Sequence, residues 1–312
     1  MRHFRLYRHL VFLRHYFWEA YRRRLLLSVI ATFLFGSLIA IVNDVYYPSH
    51  IWDRFATEAT ISSWFCEFTD MNRVVRQPVN TFTNFIYLVL SIYGFSKGME
   101  DIKRKRTYNL ITANHFYSFV YSAIMLYVFI SSSIFHASLA ETASKMDFSA
   151  VYSITLFPLM YLTHRMTLVV RGKPTNVKHW HERLVMITVF SLLYVLLTFV
   201  IPMKQVHLIV GVIIFFIIGF GFYLEHRDPG QTNKQYLFAT VVTIVLAGMF
   251  FEFDIKKLMC QPNAMLTPHS LWHLFNGMSI FFFYLYLRSE RYDVAQDEMR
   301  QRIREKVAVR LQ

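Results

Sequence analysis

Two histidines four residues apart, His269 and His273, stand at the start of the last apolar stretch of the chain. Residues at this spacing lie on one face of a helix, about one turn apart. Thr267 can cap that helix, and Pro268 suits its first turn. A polar pair in the first turns of a membrane helix is costly, so the pair predicts a functional site.

A third histidine can complete a metal site. His136 ends another apolar stretch, and Asp147 follows it after a short loop. Three neutral imidazoles suit Zn²⁺ and leave a fourth position for water, whose pKa zinc lowers from roughly 15.7 to about 7. The positive end of the helix dipole disfavours protonation of His269, which keeps its ring able to bind metal. A lone membrane histidine is commonly a packing residue, but this combination favours a catalytic centre.

Asp147 and Ser132 are the residues expected to act beside the metal. Asp147 can orient the water, act as the general base or hold a histidine in place. Ser132 precedes His136 by one helical turn, so its hydroxyl can hold the water or donate to an oxyanion. Ser132 can equally be a packing residue between helices, since small residues are common in membrane spans.

Composition places these residues in a membrane protein. The chain of 312 residues is 55% hydrophobic and 18% aromatic, and its mean hydropathy is positive, which is too apolar for a soluble chain of this length. The formal charge of +13 can indicate nucleic-acid binding, but an excess of Lys and Arg on cytoplasmic loops explains it in a membrane protein. We therefore expect no nucleic-acid partner. The two cysteines exclude a cysteine metal cluster.

The apolar stretches predict an all-α polytopic membrane protein, with a seven-helix core bundle and one extra N-terminal transmembrane helix. A signal peptide is the alternative for that extra helix, but the long basic lead and the lack of a small-residue cleavage motif favour an uncleaved anchor. The predicted organisation is a basic cytoplasmic segment at 1–24, the anchor at 25–42, a non-cytoplasmic loop at 43–78, the core at 79–288 and a cytoplasmic tail at 289–312.

The charges of the loops predict the orientation. Loops that follow the second, fourth and sixth spans, and the C-terminal tail, are rich in Lys and Arg like the N-terminal segment, so both termini are expected in the cytoplasm. The three histidines and Asp147 then fall at the non-cytoplasmic end, facing a lumen or periplasm. The core spans are predicted at residues 80–95, 111–136, 146–162, 183–201, 207–223, 237–253 and 267–287.

Other polar residues near the ends of spans receive lesser roles. Glu252 and Asp254 end the seventh span on the outer side; they are near enough to join the site, but we expect interface residues. His164, His179 and His181 fall on the cytoplasmic side, where we expect solvated side chains.

The motifs resemble those of a known group of membrane hydrolases. Ser-xxx-His at 132–136, Asp at 147 and His-xxx-His at 269–273 resemble the signature of the alkaline ceramidase-like family. Its superfamily includes the progestin/adiponectin receptors and the GPI-lipid remodelling hydrolases. Gln-Pro-Val-Asn-Thr-Phe-Thr-Asn at 77–84 resembles the start of the first core helix in the ceramidase branch, and Trp-Phe-Cys-Glu at 64–67 resembles the Trp-Cys-Glu segment before it. The resemblance covers residues 64–288, as seven core helices in order.

This resemblance implies a zinc enzyme. By it, His136, His269 and His273 bind zinc, and Ser132 and Asp147 flank the metal-bound water. The implied reaction is hydrolysis of the amide of ceramide, or of a ceramide-like lipid, to a sphingoid base and a fatty acid. The substrate is then a membrane lipid that reaches the site laterally. The many Phe, Leu and Met residues can line an acyl tunnel or simply pack the core. The head group, the acyl length, the organelle and the oligomeric state stay open.

Two alternative functions remain at this point. The first is a hydrolase of the same fold that acts on another acyl amide or ester lipid, including the GPI-lipid remodelling type. The second is a seven-helix receptor with a structural zinc ion. A closed structural site takes four protein ligands, whereas the sequence offers three histidines at this depth, with Asp147 as the one candidate to close the site.

The sequence departs from the family pattern where calcium binds. Position 77 is Gln where the animal enzymes have a Glu that helps to bind calcium, and the spacing around Glu67 differs. These departures put calcium dependence in doubt, together with a second metal site at Glu67.

A disulfide between Cys66 and Cys260 is the last expectation. Both cysteines fall in predicted non-cytoplasmic loops, where thiols oxidise and stay oxidised. The resemblance supports the pair, because the cysteine of the Trp-Cys-Glu segment in the animal enzymes is bonded to a later loop on that side. The bond would tie the segment before the site to the loop that carries the histidine pair.

Overall fold

A computed structural model describes residues 25–57, 65–202, 205–227 and 232–291. The predictions for the basic segment at 1–24, for Trp64 and for the tail beyond residue 291 lie outside these residues. The described parts fold as α-helices joined by short loops: α1 Leu25–Val45, α2 Pro78–Thr83, α3 Phe85–Lys103, α4 Leu110–Ala113, α5 Phe116–Ser138, α6 Glu141–Val170, α7 Trp180–Phe199, α8 Val206–Arg227, α9 Lys234–Ile255 and α10 Pro268–Ser289.

The chain is an all-α polytopic membrane protein, as predicted. Within the described residues, five helices are long and apolar enough to cross a membrane, namely α1, α5, α7, α8 and α9. The other three predicted spans correspond to α3, α6 and α10, which are 19, 30 and 22 residues long. These helices carry many buried polar residues, which lower their hydropathy. A side chain that faces protein instead of lipid can be polar, provided that it has a hydrogen-bond or ion-pair partner.

Helix α3 is longer than its predicted span at 80–95. It continues to Lys103, and it follows α2 after the single residue Asn84. Lys97 follows the predicted span, but it lies inside the helix and is buried. Its Nζ atom lies 3.1 Å from Oε2 of Glu100. An ion pair with a buried partner allows this lysine to stay within the helix.

Helix α6 also extends beyond its predicted span at 146–162. The expectation that His164 is solvated is wrong, because its side chain is fully buried and hydrogen-bonds the hydroxyl of Tyr117 at the start of α5. The next residue, Arg165, also lies beyond the predicted span, and it is fully buried with Nε 3.5 Å from Oε1 of Glu290. These partners come from distant parts of the chain, so hydropathy alone ended the span too early.

The centre of the bundle is packed by aromatic residues of α3, α5, α6 and α10. The rings of Tyr121 and Tyr284 stack with centroids 4.3 Å apart. Gly94 of α3 faces Tyr121 so closely that a Cβ atom there would lie 2.5 Å from the ring. This close approach fixes α3 against α5, and α5 carries His136 in its last turn.

Candidate metal centre

The three predicted histidines meet at one end of the bundle. His136 lies in the last turn of α5, and His269 and His273 lie in the first two turns of α10. One ligating nitrogen of each ring lies within 4.8 Å of the others, and all three residues are buried. The ring centroids are 4.6 to 5.2 Å apart. Among the described residues, this cluster is the one group of three or more potential ligands close enough to share a metal ion.

The start of α10 is fixed by the predicted cap. The Thr267 hydroxyl accepts a hydrogen bond from the backbone N–H of Ser270, and the Ser270 hydroxyl accepts one from the backbone N–H of Thr267. Pro268 occupies the first turn. This reciprocal cap satisfies two donors that the helix leaves open. It therefore sets the position of His269, two residues after the cap, and of His273 one turn later.

His136 is oriented by Gln77. Its Nδ1 atom lies 2.8 Å from Oε1 of Gln77, and the Gln77 amide nitrogen donates to the hydroxyl of Thr69. Because the amide nitrogen is used for Thr69, the amide oxygen accepts from His136 Nδ1–H. The Nε2 atom of His136 is buried and has no hydrogen-bond partner in the described structure. A buried acceptor without a partner is costly, and a metal ion at the cluster would satisfy it.

His273 is oriented in the same way by Thr83. Nδ1 of His273 lies 3.1 Å from the Thr83 hydroxyl oxygen, and that hydroxyl donates to the carbonyl oxygen of Val79 at 2.9 Å. The oxygen of Thr83 is therefore free to accept from Nδ1–H. Residues that bind metal through one ring nitrogen commonly donate the other ring N–H to such a partner, which fixes the tautomer and the ring direction.

Asp254 lies beside the third histidine. Its Oδ2 atom is 3.3 Å from Nδ1 of His269, without the alignment of a hydrogen bond, and its Oδ1 atom accepts from the backbone N–H of Cys66 at 2.8 Å. The expectation that Asp254 is an interface residue is wrong, because it is buried at the site. Glu252 does lie at the surface, paired with Lys256.

Ser132 and Asp147 face each other next to the cluster. Ser132 is buried one turn before His136, and its hydroxyl interacts with the Asp147 carboxyl. The side-chain amide of Asn84 donates to the Ser132 oxygen at 2.9 Å. Since the oxygen of Ser132 accepts from Asn84, its own proton is free to point towards Asp147. The sequence singled out Asn84 only as part of a family motif and gave it no role.

Phe65 is a further residue that the sequence did not single out. Its ring centroid lies 4.2 Å from that of His269 and 4.8 Å from that of His136. An aromatic ring over two imidazoles shields them from water. Its position in the chain, directly before Cys66, was the only signal in the sequence.

Glu67 serves as a helix cap in the described structure. Its two carboxylate oxygens accept from the backbone N–H groups of Val79 and Asn80, at 2.6 and 2.7 Å, in the first turn of α2. Burial raises the pKa of Glu67 to about 7, and these two hydrogen bonds oppose the rise. The carboxylate thus holds the loop before the bundle onto α2. A second metal site here, for calcium or another cation, stays an untested prediction.

The disulfide is formed. Cys66 and Cys260 are bonded, with Cα atoms 5.4 Å apart, which confirms the expected pair. The backbone N–H of Phe68 also donates to the carbonyl oxygen of Pro262 at 2.9 Å. The segment that carries Phe65 and Glu67 is therefore attached to the loop before α10 by a covalent bond and a hydrogen bond.

The fold and the site define a class of protein: a helical membrane protein that buries three histidines and a carboxylate near one end of its bundle. A family model described as Ceramidase matches residues 59–308, so the chain belongs to the ceramidase family. It is therefore a hydrolase that acts on an amide bond, and its His136, His269 and His273 cluster can hold a metal ion. No curated protein sequence matches the chain. Helix α1 and the loop that follows it, to residue 57, precede the matched region.

Proposed function

We propose that the protein is a zinc-dependent lipid amidase that hydrolyses the amide of ceramide or a ceramide-like lipid. The observation that carries the proposal is the geometry of three buried imidazoles around His136 Nε2, which has no hydrogen-bond partner in the described structure. Imidazole nitrogens are typical zinc ligands, and three protein ligands leave one position open for catalysis. When bound, zinc supplies Lewis acidity that activates water at neutral pH.

The protein side chains bring the reacting groups together. His136, His269 and His273 hold the ion, and Gln77 and Thr83 keep two of the rings in a metal-binding orientation. Asp147 takes the proton of the attacking water and returns it to the nitrogen of the leaving sphingoid base. Proton transfer by a positioned carboxylate typically contributes 10²–10⁴-fold, on the order of 3–6 kcal/mol.

Ser132 is proposed to act on the carbonyl side of the reaction. Its hydroxyl lies between the Asn84 amide and Asp147. A fixed hydroxyl in a site shielded from water can donate to the oxygen that gains negative charge as the carbonyl is attacked. The amide of Asn84 keeps the Ser132 oxygen in place, so no reorganisation is needed when that charge develops.

A lipid reaches the site from the bilayer in this proposal. A groove of about 370 Å³ next to the histidine end is lined by Pro78, Val79, Phe82, Thr83, Ile86, Met265 and Leu274. The groove is mostly apolar. Its lining includes Thr83, which hydrogen-bonds His273, and Leu274, which follows His273 in the chain. In this proposal the end lies on the non-cytoplasmic side of the membrane and both termini lie in the cytoplasm, which the basic loops of the sequence support.

A panel of lipids tests the proposal. Purified protein is incubated in detergent micelles with ceramide, with a second acyl amide lipid and with an acyl ester lipid, and products are measured by mass spectrometry. We expect release of sphingoid base and fatty acid from ceramide in a ratio of one to one. Cleavage of another acyl lipid, with ceramide left intact, would instead favour the same fold acting on a different amide or ester.

A further inference from the structure

The segment that precedes the family match is built against the metal centre. Helix α1 packs on the bundle through Phe35, whose ring centroid lies 6.1 Å from that of Phe85 and 6.2 Å from that of Phe129. Gly36 faces Phe85 so closely that a Cβ atom there would lie 2.5 Å from the ring. Here the term N-terminal clamp means residues 43–57, which comprise the end of α1 and the loop after it, at the histidine end of the bundle.

The N-terminal clamp holds the loop before α2 almost residue by residue. The term site loop here means residues 72–77. The Asn43 side chain accepts from Val75 N–H at 2.8 Å, and the Trp52 indole N–H donates to the carbonyl oxygen of Val74 at 2.8 Å. The backbone N–H of Ser49 donates to the carbonyl of the first residue of the site loop at 2.6 Å. Asn43 and Val75 are both buried, so these bonds are shielded from competing water.

An ion pair between a fully buried arginine and a half-exposed aspartate continues this connection. Arg76 of the site loop is fully buried, and its Nη2 atom lies 2.6 Å from Oδ1 of Asp53 in the clamp. Its Nη1 atom donates to the carbonyl oxygen of Ser138 at the end of α5. A buried guanidinium needs a counter-charge, because desolvation of an unpaired charge is costly. In the described structure Asp53 provides that charge, and it comes from outside the family match.

The site loop then pairs with the metal-binding end of α5. The backbone N–H of Arg76 donates to the carbonyl oxygen of Ala137, and that of Gln77 donates to the carbonyl oxygen of His136, each at 3.1 Å. The Gln77 side chain accepts from Nδ1 of the same histidine. The position of Gln77 relative to His136 therefore depends on the loop that the clamp holds.

The clamp also contacts the turn after His136. The carbonyl oxygen of Phe55 accepts from the backbone N–H of Glu141, and Ala56 forms an isolated β-bridge with Ala140. Both sides of the α5 end are thus held by residues 43–57, on one side through the site loop and on the other directly.

We infer that the N-terminal clamp is a positioning element of the metal centre, and that Asp53 acts through Arg76 and Gln77 to hold His136 in its metal-binding orientation. The inference rests on the proposed function only in taking the three histidines as metal ligands. Neither Asp53 nor Arg76 is placed in contact with the metal or the substrate. Loss of a residue that orients a metal ligand typically weakens metal binding by about 10–100-fold.

A double-mutant cycle on zinc affinity tests this inference. Zinc affinity is measured by competition with a chelator for the full chain and for Asp53→Asn, Gln77→Ala and the double variant. We expect about 10–100-fold weaker binding in Gln77→Ala, and about tenfold weaker binding in Asp53→Asn. In the double variant Asp53→Asn should add little, because its effect passes through Gln77. Additive losses, or an unchanged affinity in Asp53→Asn, would overturn the inference.

Asp44→Asn is the matched control. Asp44 belongs to the same clamp and pairs with Arg73, but it is 75% exposed and its partner is 39% exposed, so zinc affinity should match that of the unaltered chain. If Asp53→Asn does not fold, Trp52→Phe replaces it, because this variant keeps an aromatic side chain and removes the indole N–H that donates to Val74. Unaltered zinc affinity in Trp52→Phe would then contradict the inference.

Hydrogen exchange in the zinc-free protein gives a readout that is independent of activity. Peptides that cover residues 72–77 and 136–140 should exchange faster in Asp53→Asn than in Asp44→Asn. Equal exchange in both variants would count against the clamp. If the unaltered chain binds no zinc at all, the proposed metal centre fails, whereas normal zinc binding with an unaffected Asp53→Asn variant removes only the role of the clamp.

Discussion

The two ends of the helix bundle bury polar side chains in different ways. At the end where α5 begins, opposite charges face each other: Arg288 donates to both carboxylate oxygens of Asp101, at 2.7 and 2.8 Å. At the end where α5 finishes, three imidazoles converge, and Nε2 of His136 has no hydrogen-bond partner among the described residues. His136 follows Tyr117 by nineteen positions along α5, and a rise of about 1.5 Å per residue puts these ends about 28 Å apart.

The comparison separates polar residues that stabilise the fold from polar residues that are available for chemistry. The two hydrogen bonds from Arg288 occupy both carboxylate oxygens of Asp101, so this buried ion pair stabilises the fold. Ring nitrogens that all act as acceptors cannot form hydrogen bonds with one another. Burial makes acceptors without partners costly. Among the described residues, the histidine end is therefore the one that brings three potential metal ligands together.

Asp147→Asn is expected to give the largest effect at the histidine end. The amide has nearly the same shape as the carboxylate but cannot take a proton, so the rate of amide hydrolysis should fall by about 10²–10⁴-fold. Zinc content and thermal stability should stay close to those of the unaltered chain. Both are measured on purified protein, together with the rate of release of sphingoid base.

Glu252→Gln is the control for this variant. It changes an acidic residue on the same side of the membrane that is exposed and paired with Lys256, so its rate should be normal. A near-normal rate in Asp147→Asn would remove Asp147 from the mechanism.

Arg288→Met should sharpen the comparison from the opposite end. The variant removes the guanidinium that donates to both oxygens of the buried Asp101 carboxylate. Breaking a buried ion pair costs about 3–5 kcal/mol. Thermal unfolding in detergent should show this loss, while zinc content per folded chain stays normal. The control is Lys145→Met, which breaks a pair in which both side chains are more than half exposed and should cost no more than about 1 kcal/mol. Loss of zinc in Arg288→Met would show that the two ends are not independent.

Removal of the disulfide is expected to have the smallest effect of the three. The Cys66→Ser/Cys260→Ser double variant should lose about 2–4 kcal/mol of stability. The hydrogen bond from the backbone N–H of residue 66 to Asp254 does not depend on the sulfur atom. Zinc content should therefore be retained. Thiol labelling of the unreduced chain should detect no free cysteine, and labelling of both cysteines would contradict the bond.

The features that could be predicted from the sequence are those set by spacing and by topology. His269 and His273 share a helix face because they are four residues apart, and Thr267 caps that helix as expected. Successive spans cross the membrane in opposite directions, so the order of the predicted spans puts His136 at the same end of the bundle as this histidine pair. The pairing of Cys66 with Cys260 followed from placing both loops on one side of the membrane and from the family resemblance.

The rest depends on tertiary contacts that no local pattern contains. Gln77 and Thr83 bind their histidines across 59 and 190 residues of chain. Asp254 lies at the end of an apolar helix, where the sequence gives no sign that the carboxylate turns inward. Helix α6 extends past its predicted end because His164 is buried against Tyr117. In each case a polar residue has a partner that is distant in the sequence. A hydropathy scale scores each residue without that partner, so it predicts a solvated side chain.

Metal content tests the central claim most directly. The account predicts about one zinc ion per chain in the purified protein and its loss in His269→Ala, with loss of amidase activity. His164→Ala is the matched control, because it removes another buried histidine, at the opposite end, and should keep the zinc. Full zinc content and activity in His269→Ala would contradict the account.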